Sequence, residues 1–253
     1  MPMRLSQSHL NLLTHCPRKF QYVYLDQIGG IATESQQQFV WGNQFHQLMQ
    51  QQDLGLPLLL ALEPELTHCV AALQTAAPHL FDDSLNHQSE YRLSLPLENH
   101  TLVVVYDRLV LGRDHAVIYD WKTHARPLSM RQLSESWQTR LYLYLLAEVG
   151  HYSPDVLRME YWFVRLTGDH PAPSSVSLPY SAACHKQTHG ELTRQIQQLN
   201  LWLEQYDQQP LPQLPPQDPC CTTCPFAVCC DRLPGQRQVQ QLLAVDAVDE
   251  VRP

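Results

Sequence analysis

The sequence predicts an α/β protein in which three short strands are followed by a long helix and a returning strand. Two patterns indicate this: apolar residues alternate with polar ones in the middle of the chain, and they recur at helical spacing on both sides of it. With 253 residues, the chain is long enough for one large domain or one domain with appendages. Its apolar content of 44% is ordinary for a soluble globular protein.

The strands are predicted from alternation and from the turns between them. Ser89–Leu97 alternates, Thr101–Leu111 follows a turn, and Ala116–Lys122 completes a meander. Because the connecting turns are short, these three strands are expected to be antiparallel neighbours. Asp155–Val164 is predicted as a returning strand and Ser174–Leu178 as one more.

The helices are predicted from apolar stripes and from candidate N-cap residues. Pro17 is expected to break or kink the first of them, and prolines near both ends of the third are expected to interrupt it. The predicted helical ranges are Leu5–Tyr24, Gln36–Gln52, Leu56–Phe81, Met130–Val149 and Gln187–Tyr206.

A carboxylate and an ammonium group stand side by side at the end of the third strand. Side chains alternate along a strand, so Asp120 and Lys122 share a face. The carboxylate can hold a hard divalent cation, and the ammonium can position a water or a phosphate oxygen. Hairpin pairing brings Asp107, on the second strand, near Asp120. The alternatives are a surface ion pair for Asp120 and Lys122 and a turn residue for Asp107.

Two predicted helices carry further polar candidates. His46 lies in the second helix, where a hydrogen-bonded helix histidine is the alternative to a ligand. Gln138 and Tyr142 are four residues apart, so they share a face of the helix that follows the meander.

The charge balance does not favour nucleic acid over the whole surface, since the net charge is −8. Positive charge is gathered locally, however, and such a patch is expected to bind phosphate weakly and in a salt-sensitive way. The patch consists of Arg108, Arg113, Lys122, Arg126, Arg131 and Arg140.

The eight cysteines point to a metal or cluster site. No N-terminal apolar run resembles a signal peptide and Leu56–Leu62 is too short to span a bilayer, so we expect a cytoplasmic protein without disulfides. Cys221 and Cys224 form a two-ligand clip, with Cys230 or Cys229 as the third ligand. Neighbouring residues seldom both ligate well, so Cys16 is a better fourth ligand than Cys220. Zinc and an iron–sulfur cluster both suit four thiolates.

Taken in order, these motifs resemble the PD-(D/E)xK nuclease superfamily, in its RecB-like branch with an iron–sulfur cluster, which includes CRISPR-associated exonucleases. The resemblance runs from Leu5 to Cys230 and implies a restriction-endonuclease-like central mixed β-sheet flanked by helices. It also implies that the N- and C-terminal segments join at a four-cysteine cluster site. The motifs in sequence order are Cys16-Pro17, Gly42-x3-His46, Asp107-Arg108, Asp120-x-Lys122, Gln138-x3-Tyr142 and Cys221-x2-Cys224-x5-Cys230.

The resemblance also implies a role for each residue of these motifs. The expected ligands of Mg²⁺ or Mn²⁺ are His46, Asp107 and Asp120. The expected catalytic lysine is Lys122. Gln138 and Tyr142 are expected to orient the active site or to contact the DNA strand. Glu90 is expected to be an acid on the first strand with a supporting role. The expected ligands of a 4Fe–4S cluster are Cys16, Cys221, Cys224 and Cys230.

The function expected on this basis is a metal-dependent DNA nuclease, acting as an exonuclease on single-stranded ends in DNA repair, recombination or CRISPR adaptation. Protein partners in a repair or CRISPR complex are also expected, and a membrane is not. One alternative is a catalytically silent iron–sulfur subunit that binds DNA or serves assembly, and another is a zinc-stapled structural protein. The expected organisation is a nuclease core over 1–209, a proline-rich and cysteine segment over 210–232 that completes the same domain, and a tail over 233–253.

Overall fold

The computed structural model describes residues 1–28, 36–56, 63–82, 84–124, 128–168 and 171–232. The chain divides into two units: Met1–Asn11 with Glu34–Gln197, and Leu12–Thr33 with Gln198–Pro253. The first unit contains the β-sheet and the second contains the cysteine-rich segment. The tail predicted over 233–253, for which the sequence also predicts a short helix around Val239–Val245, lies outside the described residues, and the predicted domain boundaries stay a prediction.

The sheet has six strands and mixes parallel with antiparallel pairing, as the sequence predicts for the fold class. Strands β1 and β3 are parallel, β4 and β5 are parallel, and the three remaining pairs are antiparallel. The spatial order is β1-β3-β4-β5-β6, and β2 also pairs with β3. The strands are β1 Arg4–Leu5, β2 His87–Leu97, β3 His100–Leu111, β4 Ala116–Lys122, β5 Leu157–Phe163 and β6 Ser174–Pro179.

The strand predictions are confirmed to within two residues at each end, except that β1 was not predicted. β1 pairs with β3 through only Arg4 and Leu5. A segment of two residues is too short to show alternation, so no sequence pattern reveals it.

Seven α-helices are found in the described ranges, and three predicted helices are interrupted. Of the predicted range Leu56–Phe81, the α-helix covers only Pro64–Ala76, so the prolines mark its start and its end as predicted. Cys16 lies between the first two, where Pro17 predicted a break. Met130–Val149 was predicted as one helix, but Ser136 has an extended backbone and caps a new helix by accepting a hydrogen bond from the Thr139 N–H. The helices are α1 Gln7–His15, α2 Pro17–Phe20, α3 Gln36–Asp53, α4 Pro64–Ala76, α5 Met130–Glu135, α6 Trp137–Gly150 and α7 Ala182–Gln205.

One core of the first unit lies where α3 and α4 pack against the sheet. The apolar stripe predicted for α3 is buried there, and Cys69 of α4 is a fully buried core thiol. The stripe residues are Trp41, Phe45, Leu48 and Met49. Within the described ranges, no helix is long and apolar enough to cross a membrane.

Candidate active site

Two acids and a lysine meet where β3 and β4 pair. Asp107 of β3 accepts a hydrogen bond through Oδ2 from the backbone N–H of Trp121, over 2.8 Å. Asp120 and Lys122 emerge on the same side of β4, and Lys122 Nζ lies 2.6 Å from Asp120 Oδ2. The hairpin therefore brings Asp107 beside the Asp120–Lys122 pair, as its turn predicted.

Gln138 closes a ring of hydrogen bonds with that pair. Its Nε2 donates to Asp120 Oδ1 over 2.5 Å, and its Oε1 accepts from Lys122 Nζ over 2.7 Å. Gln138 is the second residue of α6. The Ser136 cap fixes the start of this helix and therefore the position of the Gln138 backbone. Burial raises the pKa of the Asp120 carboxyl to about 6, although the charge of Lys122 acts in the opposite direction.

His46, Glu90 and Asp107 form the group best suited to a cation in the described part of the chain. One ligand atom from each lies within 4.8 Å of the other two, and His46 Nδ1 is 3.3 Å from Asp107 Oδ1. Burial disfavours a charged His46, but the hydrogen bond and charge of Asp107 outweigh it and raise the pKa of His46. Asp120, predicted as a ligand, is not part of this trio, and its two oxygens lie next to Lys122 and Gln138.

Glu90 has an unusual backbone conformation for a strand residue. Its φ is 50°, in the left-handed region, although it lies within β2. Ser89 pairs with Arg108 and Tyr91 with Tyr106, so Glu90 lies opposite Asp107. A non-glycine residue in this region costs about 1–3 kcal/mol, and such costs are concentrated at functional sites. Partial burial, followed by repulsion from Asp107, raises the pKa of the Glu90 carboxyl.

Helix α3 packs closely against Thr123, the residue that follows β4. A Cβ atom on Gly42 would lie 2.9 Å from Thr123 Oγ1, so a larger side chain at Gly42 would require the Thr123 side chain to shift. His46 follows Gly42 by one helical turn, on the same side of α3.

A buried ion pair holds the other end of α3. Asp53, the last residue of α3, pairs with Arg108, which follows Asp107 on β3. Both side chains are almost fully buried, with 5% and 1% of their surface exposed. The pair therefore attaches the helix that carries His46 to the strand that carries Asp107, and nothing in the sequence pattern pointed to Asp53.

Most cations of the predicted basic patch are paired with acids, two of them with acids from distant helices and two with acids within four residues of them. Arg126 lies outside the described residues. Four of the other five cations form ion pairs: Arg108 with Asp53, Lys122 with Asp120, Arg131 with Glu135, and Arg140 with Glu191.

Tyr142 is a core residue beside the acids. Only 5% of its surface is exposed, and its ring packs edge-on against Tyr106 with 5.3 Å between centroids. Burial, followed by the charges of Asp120 and Asp107, raises the pKa of its hydroxyl well above the usual range. Trp121 and Trp137 are equally buried, so these three aromatic residues do not offer open surfaces for base stacking.

In the second unit, the four predicted cluster cysteines line one pocket. Cys16, Cys221, Cys224 and Cys230 share it with Lys19, Tyr22 and Arg232, whereas Cys220 and Cys229 do not line it. The backbone N–H of Lys19 lies 3.4 Å from Cys16 Sγ. Arg232 Nη1 is buried without a hydrogen-bond partner, which suits an anionic group in the pocket.

Hydrogen bonds bring Cys16 and the later cysteines together within this unit. Arg18 donates from Nε to the Leu211 carbonyl over 2.7 Å, and from its backbone N–H to the Pro212 carbonyl over 3.0 Å. The Leu211 N–H donates to Gln21 Oε1 over 2.8 Å. Tyr22 donates to the Cys229 carbonyl over 2.9 Å. These hydrogen bonds join the N-terminal segment around Cys16 to the C-terminal segment that carries the other cysteines, as predicted.

A mixed sheet with acids and a lysine on neighbouring strands, and a glutamine from the helix beside them, is typical of a class of α/β nucleases. The chain belongs to the PD-(D/E)XK nuclease superfamily, whose sequence model matches residues 4–231.

Comparison with solved structures gives distant likenesses. One is a crystal structure from Eubacterium rectale, described as a candidate exonuclease, with a TM-score of 0.53, 10% identity and coverage of 87% of each chain. Another is SSO0001, with a TM-score of 0.47, 12% identity, and coverage of 92% of this chain and 88% of that one. No curated protein matched the sequence.

Proposed function

We propose that the protein is a metal-dependent DNA nuclease that removes nucleotides from single-stranded ends. The observation that carries this proposal is the convergence of the cation-binding trio His46, Glu90 and Asp107 with Lys122 of the Asp120–Lys122–Gln138 ring. A scaffold without activity has no need for an imidazole, three acids and an amine in one place.

Glu90 joins His46 and Asp107 as a proposed ligand of Mg²⁺ or Mn²⁺, and Asp120 is proposed to complete the set. Carboxylate oxygens suit both cations, and an imidazole nitrogen favours Mn²⁺. The position of Glu90 opposite Asp107 supports this role, as does its left-handed backbone, since such strain is concentrated at functional sites. When bound, the cation offsets the charge that develops on the phosphate and lowers the pKa of water.

Lys122 is proposed to hold the attacking water or a phosphate oxygen by hydrogen bonding. Asp120 and Gln138 hold its ammonium in one place before substrate arrives, which lowers the cost of arranging it during the reaction. Gln138 contacts both partners, so it is proposed as the residue that orients the pair.

The proposed preference for single-stranded ends follows from the resemblance to the RecB-like branch. Most of the predicted basic patch is paired with acids, so we expect binding of any DNA at this patch to be weak. The resemblance to the RecB-like branch supports a place in repair, recombination or CRISPR adaptation, together with protein partners. The E. rectale neighbour is described as a candidate exonuclease, in keeping with this proposal.

The proposal is tested with three substrates of one sequence: linear single-stranded DNA, linear duplex and circular single-stranded DNA. We expect Mn²⁺-dependent loss of the linear single strand, slower loss of the duplex and persistence of the circle. EDTA should stop all degradation. Cleavage of the circle as fast as the linear strand would show an endonuclease, and no degradation with Mn²⁺ or Mg²⁺ would contradict the proposal.

We also propose that the four-cysteine pocket holds a 4Fe–4S cluster. Four thiolates suit such a cluster, and Cys16, Cys221, Cys224 and Cys230 line the pocket together. Arg232 Nη1, which is buried without a hydrogen-bond partner in the same lining, supports an anionic group there.

Replacing Cys16 tests the cluster proposal. After anaerobic purification, we expect iron and sulfide in the unaltered protein and their loss in Cys16→Ser, because a fourth ligand is removed. Cys184→Ser is the matched control, since Cys184 is exposed on α7 and does not line the pocket. Zinc without iron in the unaltered protein, or full iron content in Cys16→Ser, would contradict the assignment.

A further inference from the structure

The ammonium of Lys122 has a third neighbour besides Asp120 and Gln138. Lys122 Nζ lies 5.0 Å from the centroid of the Tyr161 ring, within the range at which a cation is attracted to an aromatic face. Tyr161 is fully buried on β5, where it pairs with Asp120 in the parallel register. The ring therefore forms a rigid wall against which the lysine rests.

The hydroxyl of Tyr161 is tied to the helix that carries Gln138. Tyr161 Oη lies 2.7 Å from Thr139 Oγ1, and Thr139 Oγ1 donates to the Leu133 carbonyl over 2.5 Å. A threonine hydroxyl has one proton, so Tyr161 is the donor in its bond to Thr139. The chain of bonds runs from β5 through Thr139 to the end of α5.

We propose that Tyr161 and Thr139 are positioning residues, which hold Lys122 and Gln138 in register with each other; this rests on the proposed nuclease function. Thr139 directly follows Gln138, so anchoring Thr139 to β5 anchors the turn from which Gln138 extends. The Tyr161 ring restrains Lys122, and its hydroxyl restrains Gln138. The Tyr161 side chain thus restrains both Lys122 and Gln138.

Three variants separate the two actions. Tyr161→Phe keeps the ring and loses the hydroxyl, Thr139→Val loses the hydroxyl on the helix, and Tyr161→Leu loses both the ring and the bond. Tyr144→Phe is the matched control, because Tyr144 also lies on α6 and its hydroxyl bonds to His189 Nδ1 over 2.8 Å. Thermal melting establishes that each variant is folded.

The kinetic test measures kcat and KM on linear single-stranded DNA with Mn²⁺. We expect kcat to fall by about 10²-fold in Tyr161→Leu and about 10-fold in Tyr161→Phe and Thr139→Val, with KM nearly unchanged, because a small misplacement of a reacting group is costly. Tyr144→Phe should keep its kcat. Unchanged kcat in Tyr161→Phe and Thr139→Val, or an equal loss in Tyr144→Phe, would overturn the proposal.

A second test needs no cleavage. The chain has three lysines, Lys19, Lys122 and Lys186, so acylation of each is resolved by mass spectrometry. Lys122 should react several-fold faster in Tyr161→Leu than in the unaltered protein, while Lys19 and Lys186 stay the same. An unchanged Lys122 rate would overturn the positioning role. Should the unaltered protein cleave no DNA, the nuclease proposal fails and this measurement still decides the inference.

Discussion

Replacing Lys122 with glutamine should lower kcat for Mn²⁺-dependent hydrolysis of single-stranded DNA by about 10²–10⁴-fold, which is the range for a positioned proton-transfer group. Glutamine keeps a donor for Asp120, so the buried carboxylate retains a partner and the fold should persist. The ammonium is lost, and with it the charge beside the reacting phosphate. The measurement is a steady-state time course with saturating linear single-stranded DNA.

The matched control for this experiment is Lys186→Gln, since Lys186 is exposed on α7 and forms no part of the site. We expect it to cleave like the unaltered protein. Calorimetric titration with Mn²⁺ separates the roles further, because Lys122 is not a proposed ligand and Lys122→Gln should still bind the cation. Full activity of Lys122→Gln would remove the lysine from the mechanism.

Replacing Arg108 with methionine should lower the free energy of unfolding by about 3–5 kcal/mol, since it leaves the Asp53 carboxylate buried without its partner. Burial already raises the pKa of Asp53, and the charge of Arg108 opposes that effect. Removing Arg108 therefore removes the main compensation for a buried charge. Urea unfolding followed by circular dichroism measures the change.

Two further variants show whether the loss comes from the unpaired charge. The double variant Asp53→Leu with Arg108→Met should recover most of the lost stability, because an apolar pair has no charge to desolvate. Arg131→Met is the surface control: Arg131 and Glu135 are 85% and 64% exposed, so breaking that pair should change stability by less than about 1 kcal/mol. If Arg108→Met and Arg131→Met lowered the free energy of unfolding equally, Asp53–Arg108 would not be a stabilising buried ion pair.

Strand alternation was a sufficient guide to part of the site. The pattern over Ala116–Lys122 placed Asp120 and Lys122 on one side, and the short turn before it brought Asp107 alongside. The same local reasoning failed at Ser136, where apolar periodicity continues through a break. A cap changes the backbone at one residue without changing the apolar pattern around it.

Pairing of charges is the point at which sequence reasoning went wrong. Arg108 and Arg140 looked available for phosphate because few acids are near them along the chain. Their partners, Asp53 and Glu191, come from other helices. Distance along the chain does not reveal such contacts. Whether a cluster of basic residues in the sequence forms a free positive surface therefore depends on which acids the fold brings next to it.

The sequence by itself determined the strand meander, the main helices, the acid–lysine pair of β4 and the set of cysteines, because these depend on spacing along a short stretch of chain. Only the tertiary structure decided that Glu90 joins His46 and Asp107, and that Tyr161 lies against Lys122. Both depend on side chains from separate elements meeting in space, and Glu90 depends in addition on a left-handed backbone that no side-chain pattern encodes.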